Sequence, residues 1–155
     1  MNAKLNLIEN EHLELLESIR YASKEATEAG NLYSQILSLF EKHMDKERKT
    51  VFPLLGYLSD RLLSKSMIDK SKLIEARDAF ENEYEHMLEE HLAISSLLQK
   101  VIENGIRRKA TDSVELAEKL LHHVELEEEM LYPAAFASGD LIEWERELLG
   151  ARIKY

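Results

Sequence analysis

The chain has 155 residues, with 20 Lys and Arg against 30 Asp and Glu, a formal net charge of -10 and no cysteine. A length near 150 residues fits one domain that can bury an internal site, and the negative charge disfavours nucleic acid and anionic lipid as main partners. Without thiols, disulfides and cysteine-ligated metal sites are excluded, so any metal must use nitrogen and oxygen ligands.

Apolar residues recur at spacings of three and four almost throughout the chain, which predicts an all-α protein. The first helix is predicted from about Ala3 to Ala29, with Gly30-Asn31 as its end. The second is predicted from about Leu32 to Thr50, with a disturbance near Pro53 and a continuation to Leu63.

A turn is predicted at residues 64–69. A long third helix follows, capped by Asp69 or Ser71, and it is predicted to end at Asn104-Gly105.

The fourth helix is predicted to begin at a cap on Thr111 or Asp112, with Glu115 as the partner in a capping box, and to stop before Pro133. A short tail helix, anchored by Trp144, is expected after residues 138–140. Four main helices with short connections predict an antiparallel up-down-up-down four-helix bundle with a short C-terminal helix.

The longest uncharged stretch, residues 51–59, is only about half of the roughly 18 residues that a membrane-spanning helix needs. The N-terminal residues turn acidic where a signal peptide would be apolar, so a cytoplasmic protein is expected. The positions of the five glycines cannot form a GxGxxG turn or a phosphate-binding loop, which disfavours nucleotide-binding folds.

Two segments repeat the motif H-x3-E-x3-(apolar)-(aromatic)-P. The motif spans His43 to Pro53 in the second helix and, 80 residues later, His123 to Pro133 in the fourth. Upstream, Glu11-His12-Leu13 is matched by Glu90-His91-Leu92 with an offset of 79. Matching apolar positions are common between amphipathic helices, but matching His and Glu positions are not. The repeat therefore indicates that the two segments have the same chemical role.

The repeated His and Glu residues interrupt the apolar faces of their helices. Residues four apart lie about 40° apart around the helix axis, so the His and Glu of each H-x3-E motif share one face. That face also carries the core residues, which predicts that six polar side chains point into the bundle: His12, His43, Glu47, His91, His123 and Glu127.

Burying these groups without compensation is costly, because an isolated charge in the core loses its hydration. A hydrogen-bonded network without metal would be one solution, but two related pairs with two further His favour bound cations. Nitrogen and carboxylate ligands suit iron first, with manganese or zinc possible. Four His and two Glu are too many for one tetrahedral zinc and predict a di-metal centre.

These motifs resemble those of the hemerythrin-like, or HHE cation-binding, family: E-H-L, H-x3-E-x3-V-F-P, M-L-E-E-H-L and H-x3-E-x3-L-Y-P, one in each helix. The resemblance covers essentially the whole chain, 1–155, as a single domain. It implies two Fe ions with an oxo or hydroxo bridge in a four-helix bundle. Carried over, His12 and His43 would ligate one iron, His91 and His123 the other, and Glu47 and Glu127 would bridge them.

The chain departs from the pattern of the oxygen-carrying hemerythrins in two places. The last helix has H-x3-E where they look like H-x4-D, and they place two His four apart on the third helix, whereas His86 and His91 are five apart. Five residues span about 140° on a regular helix, so both could reach one metal only across a π-bulge. His91 is the expected ligand, and His86 is an additional candidate metal ligand.

A ferritin-like di-iron carboxylate bundle is the alternative fold. It needs E-x-x-H on two helices, which Glu9 to His12 and Glu83 to His86 supply, with Glu47 and Glu127 available. It would imply an oxidase or peroxidase. It leaves three further histidines unexplained: His43, His91 and His123.

The remaining polar and aromatic residues are interpreted as structural. A solvated face is expected for His122, Glu125, Glu128 and Glu129. Core positions or a dry wall around the site are expected for the aromatic residues Tyr33, Phe40, Phe52, Tyr84 and Tyr132.

The predicted function is binding or sensing of O2 or NO, with peroxide as a further small ligand, at an open di-iron centre. The alternatives are storage or donation of iron for the repair of metal centres, and an enzyme that breaks down peroxide or NO. No catalytic residue is predicted, and the sequence identifies no protein partner.

Overall fold

The computed structural model describes residues 3–62 and 70–152. Five helices account for nearly all of them: α1 (Ala3–Ala22), α2 (Glu28–Leu62), α3 (Lys70–Arg108), α4 (Thr111–Leu126) and α5 (Tyr132–Arg152). A π-helical turn, Glu127–Leu131, joins α4 to α5 without a break. Across these two described ranges there is no strand, which confirms the all-α prediction.

The junction between the first two helices lies earlier in the chain than predicted. Helix α1 ends at Ala22, and α2 already begins at Glu28, where the Thr27 hydroxyl accepts a 3.0 Å hydrogen bond from the Gly30 N–H. A Cβ on Gly30 would lie 2.0 Å from the Glu25 carbonyl oxygen. The predicted helix end at Gly30 was therefore wrong, because this glycine permits a close backbone approach inside α2.

Helix α2 runs through Pro53 to Leu62, so the predicted continuation past the proline is confirmed. The predicted turn at 64–69 and the cap at Asp69 lie outside the described residues. Ser71, the other candidate cap, lies within α3, one residue after Lys70 at the helix start.

Helix α3 ends at Arg108, three residues beyond the predicted Gly105. Lys109 takes a left-handed φ of 56°, and the Ala110 N–H donates to the Gly105 carbonyl at 2.9 Å, which is the bond pattern of a Schellman cap. Gly105 instead provides room beside α4, because a Cβ there would lie 2.5 Å from Val114 Cγ2.

The fourth helix begins at Thr111, and its cap is Ala110, which makes no side-chain capping bond. The predicted cap at Thr111 or Asp112 and its capping box with Glu115 were therefore wrong. The helix begins directly after the Schellman turn, so the capping position falls on Ala110, whose carbonyl accepts the Val114 N–H at 3.2 Å but which has no side-chain oxygen.

The predicted break at Pro133 and the separate tail helix were also wrong. The Tyr132 N–H bonds to the Glu127 carbonyl five residues back, and this wide turn accommodates the proline without ending the helix. Residues 138–140 lie inside α5. Glu145 joins α5 to α2 through Arg61 and Tyr57, whereas Trp144, the predicted anchor, is 58% exposed.

The core consists of two apolar clusters with a polar layer between them. On α2, Phe40 of the first cluster precedes His43, and Val51 of the second follows Glu47. On α3, Met87 and Ile94 flank His91 in the same way. Helix α2 packs most extensively against α3, and α1 contacts α2 and α4, an arrangement that fits a helical bundle. The polar residues of the predicted site therefore occupy a single level of the bundle interior.

Within the described ranges, no helix combines the length and the low charge that crossing a membrane requires. Helices α2 and α3 are long enough, but charged residues occur along both.

We predict that Gly30→Ala destabilises the fold by about 1–3 kcal/mol, because the new methyl group must displace the backbone of Glu25. Gly150→Ala is the matched control: nothing lies within 4 Å of a Cβ there, and alanine in an exposed helix position should add about 0.5–1 kcal/mol. Urea unfolding of both variants measures the difference, and equal stabilities would contradict the close-approach role of Gly30.

Candidate metal centre

Six polar side chains converge in the layer between the two apolar clusters. Helix α1 contributes one His, α2 an His and a Glu, α3 one His, α4 one His, and the π-helical turn one Glu. None of the six side chains is more than 4% exposed: His12, His43, Glu47, His91, His123 and Glu127. The structure thus brings together the six residues of the repeated motifs.

One donor group consists of His43, Glu47, His91 and Glu127, whose ligand atoms lie within 4.8 Å of one another. The two Nε2 atoms of His43 and His91 are 2.8 Å apart. Glu127 Oε2 lies 3.0 Å from His91 Nε2, and Glu47 Oε1 lies 3.4 Å from His43 Nε2. Two imidazole nitrogens and two carboxylates therefore face one point.

A second donor group consists of His12, His123 and Glu127. Glu127 Oε1 lies 2.9 Å from His12 Nε2 and 2.6 Å from His123 Nε2. The other oxygen of Glu127 belongs to the first group, and Glu47 Oε2 reaches within 3.6 Å of His12 Nε2. Both carboxylates thus extend between the two groups.

The candidate donor groups bring the histidines together in pairs that differ from the predicted ones. The resemblance had paired His12 with His43 and His91 with His123, but the structure pairs His43 with His91 and His12 with His123. The reason is the packing of the helices: α2 lies against α3, and α1 contacts α4, so each pair joins the first repeat to the second. The rings of His12 and His123 have centroids only 4.7 Å apart.

His86 is not brought into either group. Its side chain is 56% exposed and faces Glu89 and Glu90, and the one π-helical turn among the described residues lies after α4, so α3 provides no bulge that would turn His86 inward. Glu83 is 44% exposed as well. The ferritin-like alternative needs both residues as core ligands, so the structure does not support it.

Three of the histidines contact, through Nδ1, carboxylates that lie outside the two donor groups. The His43 Nδ1–H donates to Glu90 at 2.9 Å, and the His91 Nδ1–H donates to Glu128 at 2.8 Å. His123 Nδ1 lies 3.6 Å from Glu11. Such contacts fix the ring orientation and leave each Nε2 directed at the site.

These carboxylates were not predicted as functional residues. Glu128 was placed on a solvated face, and it is indeed 42% exposed, but it reaches back to His91. Glu11 and Glu90 were part of the repeated E-H-L motif without a role. The repetition of Glu11 and Glu90 could have pointed to a role for them. Each contacts a His on a different helix rather than the His that follows it in the chain.

Tyr132 also belongs to the site rather than to a surrounding wall. It is fully buried, and its hydroxyl donates to Glu47 Oε1 at 2.8 Å and lies 3.1 Å from His43 Nε2 and 3.2 Å from His91 Nε2. The π-helical turn brings Tyr132 to the same side of the helix as Glu127, because the Tyr132 N–H bonds to the Glu127 carbonyl. The sequence shows the tyrosine but not this turn.

Several ligand atoms in the layer lack the hydrogen bonds that buried polar atoms normally make. Glu47 Oε2, Glu127 Oε2 and His123 Nε2 are buried without a hydrogen-bond partner, although nitrogen or oxygen atoms lie close to each. These atoms are close to their neighbours, but the angles do not suit hydrogen bonds. Such geometry is expected when ligand atoms point at a common centre rather than at one another. The arrangement therefore fits metal cations, which would satisfy all three atoms at once.

The charges of the metal-free layer are strongly coupled. Burial lowers the pKa of His43, but the neighbouring carboxylates of Glu127, Glu47 and Glu90 outweigh burial and raise that pKa to about 11. The pKa of His123 is likewise raised, since Glu127 outweighs burial. Burial acts against ionisation of Glu127, yet four surrounding histidines hold its pKa well below the usual range. Protons on histidine thus compensate the carboxylates when no cation is bound.

An all-helical bundle with a buried layer of four His and two Glu defines a class of histidine- and carboxylate-rich metal proteins. The family model of the hemerythrin HHE cation-binding domain matches residues 3–135, and the chain belongs to this family. No curated protein and no solved structure matches the chain.

We predict that metal binding releases protons. His43, whose pKa is raised to about 11, is protonated at pH 7 in the metal-free chain, and the raised pKa of His123 favours its protonated form, so a cation at Nε2 must displace protons. Adding zinc to metal-free protein in weak buffer should release roughly one or more protons per chain, and apparent affinity should rise with pH. A pH-indicator titration measures this. Affinity that stays constant between about pH 6 and 9 would contradict the prediction.

Proposed function

We propose that this protein is a non-heme di-iron protein that binds O2 or NO at a centre inside an antiparallel up-down-up-down bundle. The observation that carries the proposal is that Glu127 belongs to both donor groups, with Oε1 facing one and Oε2 the other. A carboxylate in this position supports two ions held side by side rather than one.

The ligand residues have distinct roles in this proposal. His43 and His91 hold one ion, His12 and His123 hold the other, and Glu47 and Glu127 connect them. Iron is favoured because imidazole and carboxylate together suit it and the chain offers no thiolate, although manganese and zinc accept the same ligands. When bound, two ferrous ions supply the coordination positions and the electrons that a ligand such as O2 or NO requires.

The surroundings of the site suit a small uncharged ligand. The ring of Phe52 stacks on His12 at 5.4 Å, and Phe40 meets both His12 and His123 edge-on. These buried rings exclude water from one side of the layer, and a diatomic molecule fits an apolar wall better than an ion does. The ligand set leaves coordination positions open, because each ion has only two His and two carboxylate oxygens.

The test is iron content and ligand binding of the reconstituted protein. Anaerobic loading with ferrous iron should give about two ions per chain, and the optical spectrum should change on exposure to O2 or NO. Glu127→Gln removes the carboxylate common to both groups and should lower iron content to about one ion or fewer. Glu125→Gln, at a position that is 70% exposed, is the matched control and should retain both ions.

A second pair of variants tests which histidine of α3 is a ligand. His91→Ala should lose iron because it removes a donor from the group that contains Glu47, whereas His86→Ala should keep it. The measurement is metal analysis after desalting. Loss of iron from the His86 variant, with retention in the His91 variant, would overturn this assignment.

A further inference from the structure

The two halves of the metal layer are related by the internal repeat. His43, Glu47 and Phe52 of α2 correspond, 80 residues later, to His123, Glu127 and Tyr132. His12 corresponds to His91 with an offset of 79. The repeat would make the two donor groups equivalent, except where paired positions carry different side chains.

The aromatic pair is one such difference. The ring of Phe52 stacks on His12 with an interplanar angle of 17°, and the ring of Tyr132 stacks on His91 at 5.5 Å with an angle of 12°. The two rings thus support corresponding histidines in similar geometry. What separates them chemically is a single hydroxyl group.

That hydroxyl lies among the donor atoms of one group only. Tyr132 Oη is 2.8 Å from Glu47 Oε1 and within 3.2 Å of both Nε2 atoms, those of His43 and His91. All three neighbours face the point at which the cation of this group would sit. The other group receives no corresponding oxygen, because the residue in that position is Phe52.

We propose that Tyr132 is a further metal ligand, whose oxygen binds the ion held by His43 and His91 and makes the two ions of the centre chemically unlike. The inference rests on the proposed di-iron function. On ligation the phenol O–H bond is replaced by a metal–oxygen bond, and the proton leaves to solvent. Neither ion changes oxidation state in this step.

The consequence concerns where a small ligand binds. With the tyrosine oxygen in place, the ion between His43 and His91 has one open position fewer than its neighbour. In the other group, the rings of His12 and His123 contact the carbon ring of Phe40, and His12 also stacks on Phe52. The structure therefore assigns O2 or NO to the His12 half of the site.

The experiment is spectroscopy of the oxidised, iron-loaded full-length chain. A tyrosine oxygen on ferric iron gives a visible phenolate-to-iron charge-transfer band, and resonance Raman excitation in that band enhances the phenolate ring vibrations. The native protein should show this signature, and Tyr132→Phe should lose it while retaining about two irons per chain. A tyrosine that only donates a hydrogen bond to Glu47 produces no such band.

Phe52→Tyr is the mirror-image control, because it places a hydroxyl beside the His12 group. It should strengthen the phenolate signature and weaken NO binding by the diferrous protein relative to the native chain. A native protein with two irons and no phenolate signature would overturn the tyrosine ligand but leave the di-iron function standing, as would a signature that persists in Tyr132→Phe. A native protein that takes up no iron would overturn both.

Discussion

The structure depends on one constraint, which is the burial of four imidazoles and two carboxylates at a single level of a helical bundle. Desolvating a carboxylate costs several kcal/mol even after relaxation, so these groups are compatible with a stable core only when positive charge lies between them. In the metal-free chain a proton on His43 supplies such charge, and the raised pKa of His123 favours a second proton there. A bound cation would replace these protons and also satisfy the oxygens that they leave unpaired. Stability and metal binding are therefore linked through the same six side chains.

The apolar clusters on both sides make this layer possible. They pack four helices tightly enough to hold the ligand atoms within a few ångströms, and they are built from residues that precede and follow the ligands on the same helices. Because His43 and Glu47 continue the stripe that contains Phe40 and Val51, the helical period alone predicts that they point inward. This is why the burial of the six polar residues, the helical class and the cation-binding family were all predictable from the sequence. The family match over residues 3–135 agrees with that interpretation.

The features that the sequence did not predict depend on contacts with other parts of the chain rather than on the spacing of residues along one helix. Gly30 and Gly105 look like helix ends, but each marks a place where another part of the chain approaches the backbone. Pro133 looks like a helix stop, but a π-helical turn absorbs it. The pairing of histidines and the supporting carboxylates Glu90 and Glu128 depend on which helices lie side by side, and spacing along one helix carries no information about that.

The internal repeat explains both the order and the asymmetry of the site. Two similar hairpins supply two similar sets of donors, so a symmetric centre would result if every pair of positions matched. Two pairs of positions differ in chemistry. Tyr132 against Phe52 places a hydroxyl beside the donor group of His43 and His91 where the other group has a carbon ring, and Glu128 against Arg48 gives His91 a carboxylate partner. In the proposed di-metal centre, a repeat that keeps the ligands while varying their surroundings would hold two ions and leave one of them more accessible than the other. Differences of a few atoms, rather than a different fold, would then separate a structural ion from one that binds a ligand.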